Sequence, residues 1–244
     1  MIFRSHKGHL PMLPLRALLF DFDGTILDTE TPEYETWQII CAEYDVTLPL
    51  AVWATGVGIG VDENPFDPYR FLEENAPVSV DRTVVKHRRA ALFAERLAQE
   101  VPRPGIIALL EEGREAGLLI GLASSSGHSW VDGLLERIGL LEWFPVRLCA
   151  DDVTHTKPDP ELYLRCLSAL GVSADEAMSL EDSPNGIKAA KAAGIFTVAY
   201  PNRVTALLPG IERADIRVDD WGAVSLASLA AIRNPAISPL GETK

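Results

Sequence analysis

The chain has 244 residues, 47% of them hydrophobic and 23% charged, a composition that suits one folded domain carrying a smaller one. Its formal net charge of −13 argues against nucleic acid as a partner, because a phosphate backbone needs clustered Lys and Arg. No apolar run approaches the ~20 residues of a spanning helix, so no membrane partner is expected. Cys41, Cys149 and Cys166 are odd in number and form no CxxC pair. They read as reduced, mostly buried thiols, and the expected location is the cytoplasm.

In chain order, residues 1–14 lack a continuous hydrophobic stretch and a small-residue cleavage site, and read as a loose extension, with Met12 an alternative start. Leu15 to Phe22 is a short apolar run closed by Asp and Gly, the pattern of a fully buried strand. From Thr31 to Gln99 the apolar residues recur at three- and four-residue spacing, in "PEYETWQIICAEY", "PYRFLEENA" and "RTVVKHRRAALFAERLAQE". This block is expected to be an all-helical insertion that ends at the stiff linker "VPRPGI". After it, helix and strand patterns alternate: "IIALLEEGREAG", "LLIGLASSS", "SWVDGLLERIGL", "VRLCADD", "PELYLRCLSALG", "AMSLEDS", "NGIKAAKAAG" and "IFTVAY". Such alternation predicts an α/β fold, a Rossmann-like doubly wound parallel sheet with helices on both faces. The expected division is residues 15–29 and 102–244 as the sheet domain, with 30–101 as the helical insertion.

Ligands of such sheets bind beyond the carboxyl ends of the strands. Four strand ends here are polar: Asp21-Phe22-Asp23, Ser124-Ser125-Ser126, the segment leading to Lys157, and Glu181-Asp182. Residues i and i+2 of a strand share a side, so Asp21 and Asp23 can face one reacting centre, and Gly24 permits a tight turn after them. Two such charges at ~4 Å repel by roughly 4 kcal/mol at an effective dielectric of 20. Adding Glu181 and Asp182 raises that cost, so a cation is expected, and an all-oxygen set suits Mg²⁺.

At this point the residues resemble the haloacid dehalogenase superfamily, and within it the branch with a helical cap that contains β-phosphoglucomutase and small phosphatases. "DFDGTILD", "LASSS", Lys157 in "KPDP" and "EDSPNG" match its four motifs in order, between about Leu15 and Pro201. The resemblance implies Asp21 as nucleophile, forming an aspartyl-phosphate, and Asp23 as the acid and base. It implies a Mg²⁺ site from Asp21, the Asp23 carbonyl and Asp182, with Glu181 beside it. Phosphate contacts would come from Ser124, Lys157 and the backbone at Phe22, Asp23 and Ser125. A second aspartate is idle in dehalogenation and absent in phosphonate hydrolysis, which leaves phosphate-ester chemistry.

The mutases of this branch use a cap histidine and a cap arginine, whereas "DTETPEYETW" has Glu33 at the aligned place. The expectation is therefore a phosphatase of a small phosphorylated metabolite, with sugar phosphates among the candidates. A phosphomutase is the alternative, and a non-catalytic Mg²⁺-binding interaction protein the rival of another class. Glu30, Glu33, Trp53 and Phe66 are expected on a cap face that binds hydroxyls and stacks on a sugar. "GVGIG", Gly56 to Gly60, is expected in a cap loop facing the site. Asp28–Thr31 and Val101–Gly105 are expected hinges of the cap. Ser126 or Ser129 is expected to cap the helix after the second motif, and Asp182 to cap the one after the fourth. His128 and His155 read as solvated loop residues, Arg88 and Arg89 as solvated cations, and the protein as a monomer.

Overall fold

A computed structural model describes residues 14–56 and 66–233. Almost all of the expected N-terminal extension and most of the glycine loop lie outside the described residues. Six strands form one parallel sheet: β1 (Ala17–Phe20), β2 (Leu119–Ala123), β3 (Val146–Leu148), β4 (Ala177–Glu181), β5 (Phe196–Ala199) and β6 (Ile216–Arg217). Their order is β3-β2-β1-β4-β5-β6, so the winding reverses beside β1. A crevice opens at such a switch point, beyond the carboxyl ends of β1, β2 and β4.

β1 is buried on both faces, which is why it reads as an unbroken apolar run. Leu18 and Phe20 pack under α5 (Ile106–Glu115), α6 (His128–Arg137) and α9 (Leu226–Arg233). Ala17 and Leu19 face α7 (Glu161–Leu170) and α8 (Pro184–Ala192) on the other side. The alternation along four residues is what makes the sheet doubly wound. Two elements went unread in the sequence: β6 has only two residues and no apolar run, and α9 lies in a tail that carries no chemical motif.

Between β1 and α5 the chain leaves the sheet and builds α1 (Glu30–Glu43), α2 (Leu50–Trp53), α3 (Pro68–Asn75) and α4 (Arg82–Leu97), with no strand among the described residues there. Asp67 and Asp81 cap α3 and α4 by accepting N–H bonds from Tyr69 and Thr83 at 2.9 and 2.8 Å. Tyr34, Trp37, Ile40 and Cys41 form the apolar stripe of α1, and Val85 and Leu92 of α4 pack against it. The expected insertion is therefore helical. Its Trp53 and Phe66 behave differently from the reading above. Trp53 is buried and packs edge-on against Phe66 at 5.9 Å and beside Tyr34, so these rings fill the cap's own core and do not offer a stacking face. No helix among the described residues is long and apolar enough to cross a membrane. All three cysteines are buried thiols.

Candidate active site

Asp21 is carried just past the end of β1, where its N–H still bonds the Leu180 carbonyl of β4 at 3.0 Å. The chain then turns: the Phe22 carbonyl accepts the Ile26 N–H at 2.9 Å, and Gly24 adopts φ +79°. A Cβ on Gly24 would lie 2.1 Å from Asp182 Oδ2, so only glycine lets the first and fourth motifs close on each other. Phe22 itself is buried in the hydrophobic core, and only its backbone faces the turn.

Asp21, Asp23, Ser124, Ser125, Lys157 and Asp182 line one cavity of about 930 Å³. Glu181 sits beneath it. Lys157 Nζ donates to Asp21 Oδ1 at 2.6 Å and to Glu181 Oε1 at 2.7 Å, with its side chain 4% exposed. Burial works against the ammonium charge, but Asp21 and Glu181 outweigh it and hold the amine's pKa up. Tyr163 of α7 donates to the same Glu181 oxygen, and a Cβ on Gly186 would run into the Glu181 carboxylate at 1.8 Å. The small first turn of α8 thus leaves room for a buried acid.

Oxygens of Asp21, Glu181 and Asp182 lie within 4.8 Å of one another. Among the described residues Lys157 is the one cation ion-paired with this trio, and Arg103 adds only a more distant positive charge toward Asp182. Burial, then the charge of Asp21 and that of Glu181, push the Asp182 carboxyl well above its ordinary value. Burial likewise raises Glu181, although Lys157 opposes it. Glu181 Oε2 is buried and bonded to nothing among the described residues. Hard oxygen donors, excess negative charge and an unpartnered buried oxygen all fit a divalent cation in this corner.

Asp23 is held from the other side. Ser126 Oγ donates to its Oδ2 at 2.6 Å and Trp130 Nε1 to its Oδ1 at 2.8 Å. Burial raises its pKa, and these two bonds pull in the opposite direction. Ser126 is therefore an Asp23 partner and not the expected helix cap. Neither Ser126 nor Ser129 caps α6, whose N-cap position is Gly127. Ser183 rather than Asp182 caps α8, accepting the Gly186 N–H at 3.1 Å, which frees the Asp182 carboxylate for the cavity. Ser124 is buried and accepts the Ser126 N–H at 3.0 Å.

The cap closes the cavity with Glu30 and Glu33 of α1 and with Arg89 and Phe93 of α4. Both predicted cap acids thus reach the site. Burial and the nearby Asp23, Asp28 and Glu33 push Glu30 up to about 8. Glu33 accepts from Arg89 Nε at 2.6 Å and from Trp37 Nε1 at 3.0 Å. Arg89 is thereby a cavity residue, in contrast to the solvated cation expected of it, while Arg88 pairs with Glu43 on the outer surface. His155 is exposed, as expected. His128 is not a loop residue: it opens α6, 3.4 Å from Asp132 one turn along the same helix and 2.8 Å from Asp152, which only folding brings near.

Three further residues went unrecognised. Trp130, in the first turn of α6, joins Ser126 of the preceding loop on Asp23, and since Ser126 lies outside the helix no periodic spacing marks the pair. Asn202, past the end of β5, donates to Asp182 Oδ2 at 2.9 Å; a fifth polar strand end was there to be counted. Arg103, in the second linker to the cap, donates to the carbonyls of Gly24, Tyr200 and Pro201 and stacks 3.7 Å over the Tyr200 ring. No local pattern marks an arginine that serves only distant carbonyls.

A parallel sheet with this crevice, roofed by helices, is a Rossmann-like doubly wound α/β architecture, and the comparisons narrow it. Residues 18–200 match the family described as haloacid dehalogenase-like hydrolase, and the chain belongs to that family. YhcW of Bacillus subtilis (strain 168), provisionally named a phosphatase, is 45% identical over 215 residues, spanning 88% of this chain and 96% of its own. Validoxylamine A 7'-phosphate phosphatase of Streptomyces hygroscopicus subsp. limoneus is 30% identical over 224 residues, 92% and 99% of the two chains. Among solved structures, a Thermotoga maritima protein provisionally named β-phosphoglucomutase aligns with a TM-score of 0.67 at 26% identity, covering 84% of this chain and 94% of that one. The expected superfamily, branch and fold class are borne out, and the chain is an enzyme of the hydrolase class whose relatives include phosphatases.

Proposed function

We propose that this enzyme is a Mg²⁺-dependent phosphatase that hydrolyses a small phosphomonoester, a sugar phosphate or a similar hydroxyl-rich metabolite of the cytoplasm. The observation that carries the reading is the meeting of Asp21, Asp23, Ser124 and Lys157 with the Glu181–Asp182 corner at one cavity mouth. The phosphatase names of two relatives support it. The domain limits that go with it are 15–29 and 102–244 for the core and 30–101 for the cap.

In this reading an Asp21 oxygen attacks phosphorus, and the bond from phosphorus to the ester oxygen breaks. Asp23 gives its proton to the departing alkoxide. Asp23, now a carboxylate, takes a proton from water as that water attacks the aspartyl-phosphate, releasing inorganic phosphate and restoring Asp21. The Ser124 hydroxyl, the backbone N–H groups at Phe22, Asp23 and Ser125, and the Lys157 ammonium orient the phosphoryl oxygens and balance their charge. Asp21, Asp182 and the Asp23 carbonyl would hold Mg²⁺, with Glu181 close behind. When bound, that ion supplies positive charge to the phosphoryl group.

Among the described residues Arg89 is the one cap cation lining the cavity, and Glu33 already neutralises it. A mutase must grip a second phosphate from the cap, so this pairing favours hydrolysis. The Arg89–Glu33 pair offers donors and an acceptor suited to hydroxyls. The test is phosphate release from a panel of phosphomonoesters with Mg²⁺, beside Asp21→Asn. Turnover that needs Mg²⁺ and disappears in the variant supports the phosphatase. Conversion of β-glucose 1-phosphate only after a bisphosphate is added would establish the mutase instead, and silence in both assays would leave a binding protein.

A further inference from the structure

We propose that Trp130 is a positioning residue for Asp23 and that it makes the aim of this group depend on the cap. The inference rests on Asp23 acting as the acid toward the leaving group. An acid must sit within hydrogen-bond reach of the oxygen it protonates, and a carboxylate on a loop has two torsions to lose before it can. Asp23 loses them to two donors, one from the loop before α6 and one from its first turn: Ser126 Oγ holds one oxygen at 2.6 Å and Trp130 Nε1 holds the other at 2.8 Å. The serine is anchored in the motif loop. The indole is anchored elsewhere.

The Trp130 ring lies parallel to the ring of Phe93, 6.2 Å between centroids and 8° between planes. Phe93 belongs to α4 of the cap, whereas Trp130 belongs to α6 of the core. The stack is therefore a seam between the two parts, and its core member also holds Asp23. One turn before Phe93 on α4 stands Arg89, its guanidinium 5.7 Å from the Phe93 ring centre and its Nε on Glu33. The cap side chains that face the substrate space and the ring that steadies Asp23 thus lie on one continuous line of contacts. A cap that swings away takes Phe93 with it. The indole then loses its flat support and its N–H bond loses its aim. Only the closed cap presents the acid correctly, so proton transfer is confined to the enclosed site.

The test compares Trp130→Phe, Phe93→Ala and Asp23→Asn on p-nitrophenyl phosphate and phenyl phosphate, two substrates of similar shape. Nitrophenolate departs without a proton and phenolate departs poorly without one. Trp130→Phe keeps an aromatic ring beside Phe93 while removing the N–H together with the second ring of the indole. We expect it to lower kcat/KM, which reports transfer to Asp21 and not the shared hydrolysis of the aspartyl-phosphate, about tenfold on phenyl phosphate and by less than about threefold on p-nitrophenyl phosphate. Phe93→Ala keeps the N–H and loosens its support, with the same pattern at about threefold, and Asp23→Asn gives the pattern at its largest. Thermal unfolding is recorded for each, and Phe93→Ala carries the test if the Trp130 variant does not fold. Equal losses on both substrates, or none, would overturn the inference. If Asp23→Asn separates the substrates and the other two variants do not, the role of Trp130 falls while that of Asp23 stands. If no variant separates them, both fall.

Discussion

On the core wall of the cavity the side chains of Lys157, Asp21 and Glu181 are 4%, 9% and 0% exposed, whereas on the cap wall those of Arg89 and Glu33 are 34% and 16% exposed. Both walls pair an acid with a base at 2.6 Å. Their surroundings make the pairs different objects. Desolvated charges held by several hydrogen bonds cannot trade partners without a cost of several kcal/mol, so the core wall keeps one geometry. A partly exposed pair is worth about 1 kcal/mol, which a substrate hydroxyl can replace. In the proposed function, chemistry belongs on the first wall and recognition on the second.

Removing the proposed nucleophile gives the sharpest contrast. Asp21→Asn should lower kcat at least about a thousandfold while leaving the melting temperature of the metal-free protein unchanged or higher, because one of three crowded carboxylates is gone. Residual turnover near wild type, measured as phosphate release, would end the assignment. Lys157→Met attacks the same wall from the other side. It leaves Asp21 and Glu181 buried without their cation and should cost about 3 kcal/mol or more in urea unfolding, with partial recovery in Mg²⁺. A loss below about 1 kcal/mol would mean that water reaches those acids in the folded state.

Glu30 stands between the two walls, and its test is a pH profile. Its carboxyl is raised from 4.5 to about 8, so the folded protein keeps a proton that the unfolded chain has already released. That contribution is fully present below about pH 4.5 and is lost as pH climbs toward 8. Metal-free protein should therefore lose stability over this range, and Glu30→Gln should flatten the fall, gaining roughly 1–3 kcal/mol over wild type at pH 8. Parallel profiles for the two proteins in chemical denaturation would show that Glu30 ionises freely.

Smaller effects are expected on the cap wall. Arg89→Ala should raise KM about three- to tenfold for the best sugar phosphate and change it less than about twofold for p-nitrophenyl phosphate, which has no hydroxyls to read. Glu33→Ala should follow the same pattern, and unchanged kcat and KM on the best substrate would remove this pair from recognition. Arg88→Ala is the outer control: its exposed pair with Glu43 should contribute within about 0.5 kcal/mol and nothing to kinetics.

Much of this molecule is visible in short stretches of its chain. The unbroken run before Asp21, the polar residues after four apolar strands and the three- and four-residue spacing of the cap each follow from local geometry. They were enough for the doubly wound sheet, the helical insertion and the proposed catalytic residues. What stayed hidden lies where a side chain answers to something far along the chain. Arg89 looked like one more cation on a helix until α1 brought Glu33 to it. Ser126 looked like a cap until the turn after β1 placed Asp23 within 2.6 Å. Trp53 and Phe66 looked like sugar platforms because aromatic rings serve a core and a binding face equally well, and only packing decides between them. Strand ends are local and repeat with the period of the backbone, so a linear pattern carries them. The seam between cap and core, where Phe93 meets Trp130, joins helices 37 positions apart by a contact with no period at all, and it exists only once both have packed.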